Sequence, residues 1–425
     1  MKEILIYYDK EIEQTKLDYV LTNINIHPFC KDTIHFSSAN KIEIADLLYS
    51  KDAINQEHQF KMFALKKLLL KEIDTSAIFE LHQVLDGGKM LNFVSVNESK
   101  KDTLLIDKII YADLFETLFF HWSRYEEVVF PKHQRNEWDL MPEEDLFVVK
   151  HDLYHQPFLD DLILWFVRLF IPDHQPKHIF EIIPTYDIDY LHFDELSVVE
   201  NIRIFLSILV KGNRPLKGGL EFFKALFNSK IDLSFLDHFS SSGIIYILCG
   251  GKHKFDFPKS KKSYERIVSL INECHLRGIE IGIHPSFETA YSFEKVKTEI
   301  ELLSEMTKSK LTKSRQHFLH IDYKDTIPLL ERLGIEIDSS TGFNLHVGFK
   351  VGTSYAFYYW NWEANRISSV LGKPLVWMDS AQWYESKKQI NRYKIDTIKY
   401  YQEQQLGEIC INNHPIFQSK LACYE

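Results

Sequence analysis

Thr185-Tyr186-Asp187-Ile188-Asp189 follows the mostly apolar run Ile179–Ile183, which only Glu181 interrupts. Such a run reads as a largely buried strand. Alternate side chains of a strand share a face, which brings Asp187 and Asp189 together, roughly 7 Å apart. Two carboxylates at the mouth of a buried strand repel each other and resist desolvation. A metal ion or a shared proton makes such a pair tolerable, so Asp187 and Asp189 are the leading site candidates.

Downstream the same kind of segment recurs. Short apolar runs at Ile244–Cys249, Ile279–Ile283, His317–Ile321, Ile335–Ile337, Leu375–Met378 and Ile409–Asn412 alternate with amphipathic stretches such as Tyr264–Arg277 and Phe293–Leu311. Alternation without hairpin signals implies a parallel sheet. Together with Ile179–Ile183 these units favour a distorted (β/α) barrel over an open sheet. Catalytic residues of such barrels sit at the C-terminal ends of the strands. Asp187, Asp189, His284 and His414 all fall at or just past such ends.

Upstream, residues 1–175 read as a smaller α/β accessory domain. Ile4–Tyr8 is strand-like, Phe60–Lys71 and Ile109–Tyr125 carry helical patterning, and Pro131–Pro142 has the mixed composition of a long connection. Two prolines within Ile171–Lys177 mark a linker. The expected division is therefore 1–175 and 176–425. Residues 195–242 contain Ile202–Val210, a Gly/Pro/Lys loop, and Phe222, Phe223 and Phe227. They form either a pair of helices packed on the barrel or an amphipathic element with basic flanks that meets a membrane surface.

Bulk properties remove several function classes. A net charge of −10 without a basic stripe argues against nucleic-acid binding. The five cysteines are widely spaced with no CxxC pair, which excludes a zinc ribbon and argues against a disulfide scaffold. Ile4–Tyr8 is too short for the apolar core of a signal peptide. Leu162–Ile171, broken by Arg168, is too short to span a bilayer. A soluble, cytoplasmic protein is expected.

Taken in order, the strand-end motifs resemble the polysaccharide deacetylases of carbohydrate esterase family 4, the NodB-homology domains, over about residues 178–415. They are Thr185–Asp189, Gly282-Ile-His284-Pro-Ser-Phe-Glu288, Ser314-Arg315-Gln-His317-Phe-Leu-His320, Asp338–Gly342 with Gly348–Thr353, and Ile409-Cys-Ile-Asn-Asn-His414-Pro415. The N-terminal region, with Trp122-Ser-Arg-Tyr-Glu-Glu127, is similar to the accessory domain of a Bacteroidetes-type subgroup. The resemblance implies a deformed (β/α)7 barrel that removes an acetyl group from an N- or O-acetylated sugar or glycan. It also implies a divalent metal, zinc first, with cobalt or nickel as alternatives. By the same resemblance Asp187 is the base, Arg315 orients it, His414 is the general acid, and Asp189 and His284 bind the metal.

The chain departs from that family at one ligand. Glu288 stands where the second histidine of a His-x-x-x-His pair belongs, so either Glu288 or His317 completes the metal set. Each residue also has a plainer reading. Glu288 suits the first turn of a helix, Arg315 a solvated strand entry, His317 an apolar core, and His414 a surface turn. Trp360 and Trp377 are candidates for the tryptophan of the family's acyl pocket. The missing histidine motivates a second reading, a catalytically silent barrel that binds glycans or a protein partner. A glycosidase pair is disfavoured, because two carboxylates from one strand flank a scissile bond poorly.

Overall fold

The computed structural model describes the chain except at residues 51–59, 65–67, 71–78, 87, 97–104, 107, 177–179, 212–214, 228–230, 240–242, 258, 382–398 and 416–425. Its N-terminal strands are β1 (Lys2–Tyr8), β2 (Ile34–Ala39), β3 (Leu47–Ser50), β4 (Phe60–Phe63), β5 (Phe79–Asp86), β6 (Lys89–Val96), β7 (Leu105–Ile106) and β8 (Ile109–Ile110). One sheet has the order β2-β1-β3-β4-β8-β7, parallel from β2 to β8, while β5 and β6 form a separate antiparallel ribbon. Parallel neighbours need a crossover, and α1 (Gln14–Ile26) supplies it between β1 and β2.

Two local expectations change here. Phe60–Phe63 is strand and not helix: its side chains alternate between buried and half-buried, the period of a strand. Lys71 lies outside the described residues. Ile109–Ile110 is likewise strand, and the helix α2 (Leu114–Trp122) begins later because Asp113 caps it, its Oδ1 accepting the Glu116 N–H at 2.9 Å. Among the described residues the α-helices α3 (Tyr125–Val129), α4 (Phe147–Lys150) and α5 (Phe158–Phe170) follow.

The rest of the chain runs β9 (Glu181–Ile188), α6 (Val198–Lys211), α7 (Pro215–Phe227), β10 (Ile244–Ile247), α8 (Lys261–Arg277), β11 (Glu280–Ile283), α9 (Phe293–Thr307), β12 (Lys313–Ser314), α10 (Thr326–Arg332), β13 (Ile337–Asp338), β14 (Phe357–Asn361), β15 (Arg366–Gly372), β16 (Leu375–Met378) and β17 (Glu408–Asn413). The strands form one sheet in the order β14-β15-β13-β12-β11-β10-β9-β17-β16. From β15 to β16 every pairing is parallel. Lys373 N–H to Asp338 O, at 2.8 Å, extends the β13–β15 ladder, and Leu375 N–H to Thr341 O, also 2.8 Å, ties the start of β16 to the loop after β13. The chain is thus an α/β protein, a nine-stranded sheet curled as a half-barrel after a smaller α/β region. That is the architecture the strand–helix alternation implies.

The sheet also corrects two readings. His317–Ile321 is not a strand: β12 stops at Ser314, and His317–Leu319 is a 3-10 turn with Phe318 and Leu319 at φ 58° and 51°. Left-handed backbone cannot continue an extended ladder. A hairpin also stands where none was expected, β14 against β15, turning through Asn365 at φ 48°. Asparagine tolerates that conformation better than most residues.

This hairpin joins the two parts of the chain. Asn23 on α1 exchanges bonds with the Tyr358 backbone, accepting its N–H at 2.7 Å and donating to its carbonyl at 3.2 Å. One buried apolar cluster runs through Leu17 and Phe119 on one side and Tyr359 and Trp360 on the other. Among the described residues no helix is long and apolar enough to cross a membrane.

Candidate metal centre and active site

The polar side chains of the site project from the C-terminal end of a parallel strand or the loop beyond it. Asp187 is the penultimate residue of β9 and Asp189 follows that strand; His284 follows β11, Arg315 follows β12, and His414 follows β17. The ladder carries on into these positions. His284 N–H donates to Ile247 O at 3.0 Å, and Arg315 N–H to Ile283 O at 3.1 Å.

Asp189 Oδ1 faces the Nε2 atoms of His284 at 3.3 Å and His317 at 3.6 Å. The three ligand atoms all lie within 4.8 Å of one another. Each imidazole is turned by its other nitrogen. His284 Nδ1 donates to Arg315 O at 2.5 Å, and His317 Nδ1 donates to Asp256 Oδ1 at 3.0 Å. This fixes the ring orientation and leaves Nε2 as the free nitrogen of the neutral ring. Asp189 Oδ1 is a buried oxygen that accepts no hydrogen bond, an arrangement that costs free energy unless a cation or proton occupies the space. The donor set of two imidazoles and one carboxylate therefore fits a divalent cation.

Burial alone would favour the neutral acid of Asp189, but the surrounding imidazoles, His317 foremost, hold it well below the usual carboxylate range. Burial likewise disfavours the charged form of His284, yet Asp187 and then Asp189 raise its pKa above the ordinary value.

Glu288 is not brought to this cluster. It lies in the 3-10 turn Phe287–Tyr291, is 35% exposed at its side chain, and pairs with Lys295. His317 stands in its place, the alternative the sequence left open. The His317 N–H donates to Pro285 O at 3.0 Å, at the start of the 3-10 turn that stands where a strand was expected.

Asp187 is 2% exposed and held on both oxygens. Arg315 donates to Oδ1 at 3.0 Å and Asn412 Nδ2 to Oδ2 at 2.7 Å. Arg315 is fully buried, and its remaining donors go to Thr185 Oγ1, Asn412 Oδ1, Ser339 and Cys410 Sγ. Its guanidinium also covers the Tyr246 ring at 4.5 Å. Burial works against its charge, but Asp187 raises its pKa above the ordinary guanidinium value.

His414 donates from Nδ1 to Asp379 Oδ1 at 2.6 Å, and Asp379 Oδ2 accepts the His414 backbone N–H at 2.7 Å. Its Nε2 is 3.8 Å from Asp189 Oδ2. Burial disfavours the imidazolium, but Asp379, then Asp189 and Asp187, push its pKa up to about 10.

These groups open into a cavity of about 240 Å³ walled by Trp138, Tyr190, Phe257, Phe318, Leu319 and Met378. Trp138 comes from the Pro131–Pro142 connection. Trp360 and Trp377, the expected candidates, are buried elsewhere and do not line it. Gly348 and Gly352 do not line it either. Gly348, at φ 147°, lies against the Tyr154 carbonyl, which accepts the Phe349 N–H at 2.7 Å; Gly352 O accepts the Leu159 N–H at 2.8 Å. They allow the N-terminal region to approach closely. From that stretch Asn344 alone lines the cavity.

Sequence reasoning passed over Asp256, Asp379, Asn412 and Trp138. Asp379 and Asn412 could have been found as polar residues at the ends of the last two strands. Asp256 sits in a loop, without a pattern to mark it.

A family of unknown function, DUF7033, matches residues 4–171, the N-terminal region alone. No curated protein matches. Among solved structures the chain is similar to a Mycobacterium smegmatis protein assigned as a polysaccharide deacetylase, at 15% identity and a TM-score of 0.34, over 57% of this chain and 80% of that one. It is also similar to the allantoinase PuuE, at 13% identity and a TM-score of 0.34, over 59% and 83%. Likeness at this level assigns no activity.

Proposed function

We propose that the chain is a hydrolase that uses a divalent cation to remove an acetyl group from an N- or O-acetylated sugar or glycan. The observation that carries this is the buried Asp189 Oδ1, without a hydrogen bond, facing the Nε2 atoms of two imidazoles whose other nitrogens are already engaged. A cation held by Asp189, His284 and His317 would polarise the acyl carbonyl and make water nucleophilic near neutral pH. Zinc is the ion favoured by this donor set, with cobalt or nickel accepted by the same ligands.

The chain's own groups supply the proton transfers. Asp187, fixed by Arg315 and Asn412 and opening into the cavity, accepts the proton of the attacking water. His414 gives its Nε2 proton to the departing nitrogen or oxygen as the acyl bond breaks, while Asp379 keeps Nδ1 engaged. The aromatic walls suit the apolar face of a sugar ring. At about 240 Å³ the cavity is below the ~300–1,000 Å³ usual for drug-sized ligands, so it encloses one sugar unit and leaves a longer glycan outside. In this reading residues 1–175 are an accessory domain to a barrel of 176–425 and complete its pocket through Trp138. The buried, unbridged cysteines 30, 249, 274 and 410 support a cytoplasmic setting.

The test is acetate release from acetylated sugars, lost on chelation and restored by zinc. Asp187→Asn should lower turnover about 10²–10⁴-fold while metal stays bound; normal turnover in that variant removes the assignment. Sugar binding without any acetate release would make the pocket a glycan-binding site instead.

A further inference from the structure

The helices α6 and α7 pack on each other and turn apolar stripes towards solvent. On α6, Val199, Ile202, Leu206 and Leu209 recur at steps of three and four and are 57%, 51%, 52% and 37% exposed. On α7, Leu216, Leu220, Phe223 and Phe227 do the same at 86%, 57%, 44% and 80%. That spacing is one face of a helix. The opposite faces are already used: Phe205 and Phe222 pack with Tyr190, Phe193 and Leu196, and Gly219 lets Phe205 approach. An outward apolar stripe on both helices of a pair is more than scattered surface hydrophobes.

Charge indicates what covers it. The chain carries −10, yet residues 198–227 hold Arg203, Lys211, Arg214, Lys217 and Lys224 against Glu200 and Glu221 alone. Arg203, Lys217 and Lys224 are exposed beside the stripes, and Glu200 is engaged at the start of α6, accepting the Ser197 N–H at 2.8 Å. Docking a second copy through this face would set its cations against themselves, a like-charge contact that disfavours association. Anionic headgroups complement them. With 14 residues α6 is about 21 Å long, short of the ~30 Å hydrocarbon core, so it lies along the surface and does not span it.

We infer that the α6–α7 pair docks on an anionic lipid surface, its stripes in the headgroup–acyl boundary and Arg203, Lys217 and Lys224 at the phosphates. The inference is independent of the reaction. It places the lipid beside the pocket, because Tyr190 and Phe257, which the pair packs against, also line the cavity.

The test is flotation of the full chain with vesicles of phosphatidylglycerol mixed equally with phosphatidylcholine, against phosphatidylcholine alone. The anionic vesicles should carry the protein up, and high salt should weaken the binding. Leu206→Glu with Leu220→Glu and Phe227→Glu should abolish flotation with an unchanged melting temperature, these side chains being exposed. Arg203→Glu with Lys217→Glu and Lys224→Glu should weaken it about tenfold or more. No flotation with anionic vesicles overturns the inference, as does flotation that survives the apolar replacements. A dimer in solution that Leu206→Glu and Leu220→Glu split, without vesicle binding, assigns the face to a second copy and also overturns it.

Discussion

Trp138 of the N-terminal region stands beside Phe318 of the barrel in the cavity wall, their ring centroids 6.3 Å apart. The loop that carries it is fixed from both sides. Asn136 Oδ1 accepts the backbone N–H groups of Trp138 and Leu140 at 3.0 and 3.1 Å, while Arg135 donates to Asp322 at 2.9 Å and to Tyr291 Oη at 3.0 Å. The barrel's pocket is therefore finished by a segment outside the barrel.

Trp138→Ala should raise KM for an acetylated sugar about tenfold, the ~1.4 kcal/mol within reach of one lost aromatic face. The rate constant kcat should stay close to the parent's, because Trp138 touches none of the proton-transfer groups. Steady-state kinetics on both proteins decide it; an unchanged KM removes the tryptophan from the substrate site.

The metal set yields a sharper contrast. His317→Ala should lose the cation, Glu288→Ala should keep it, and Asp256→Asn should weaken binding by about 10–100-fold, since Asp256 orients the His317 ring and is not itself in the ligand set. Elemental analysis and titration calorimetry with zinc measure all three. Loss of metal from Glu288→Ala with retention in His317→Ala would reverse the ligand assignment.

That contrast also marks where the sequence stops being legible. Strand-end positions could be read because strand periodicity and chain direction together place Asp187, Asp189, His284 and His414 at one end of the sheet. Spacing misled at Glu288. A four-residue step aligns two side chains on an α-helix, but His284 follows a strand and Glu288 sits in a 3-10 turn, where four residues no longer share a face. His317 is held by the Pro285 carbonyl and by Asp256, partners far away in sequence that no local preference announces. Trp138 and Asp256 act across long separations in sequence, through loops, and only tertiary packing brings them in.

His121 supplies a stability test apart from the site. It is fully buried on α2, its two ring nitrogens lack hydrogen-bond partners, and its neighbours are Phe120, Phe147 and Phe158. Burial, and then Arg124, push its pKa well below the ordinary 6.5. Below about pH 6.5 the unfolded chain therefore takes up a proton that the native chain refuses. The stabilisation is complete above that pH and is lost as pH falls towards the native pKa. Each pH unit in the window costs up to ~1.4 kcal/mol for this one group. His121→Phe removes the titration and keeps an aromatic among aromatics, so urea unfolding between about pH 5 and 7 should show a shallower loss of stability than the parent. Equal slopes for the two proteins would mean that the ring accepts its proton in the native state.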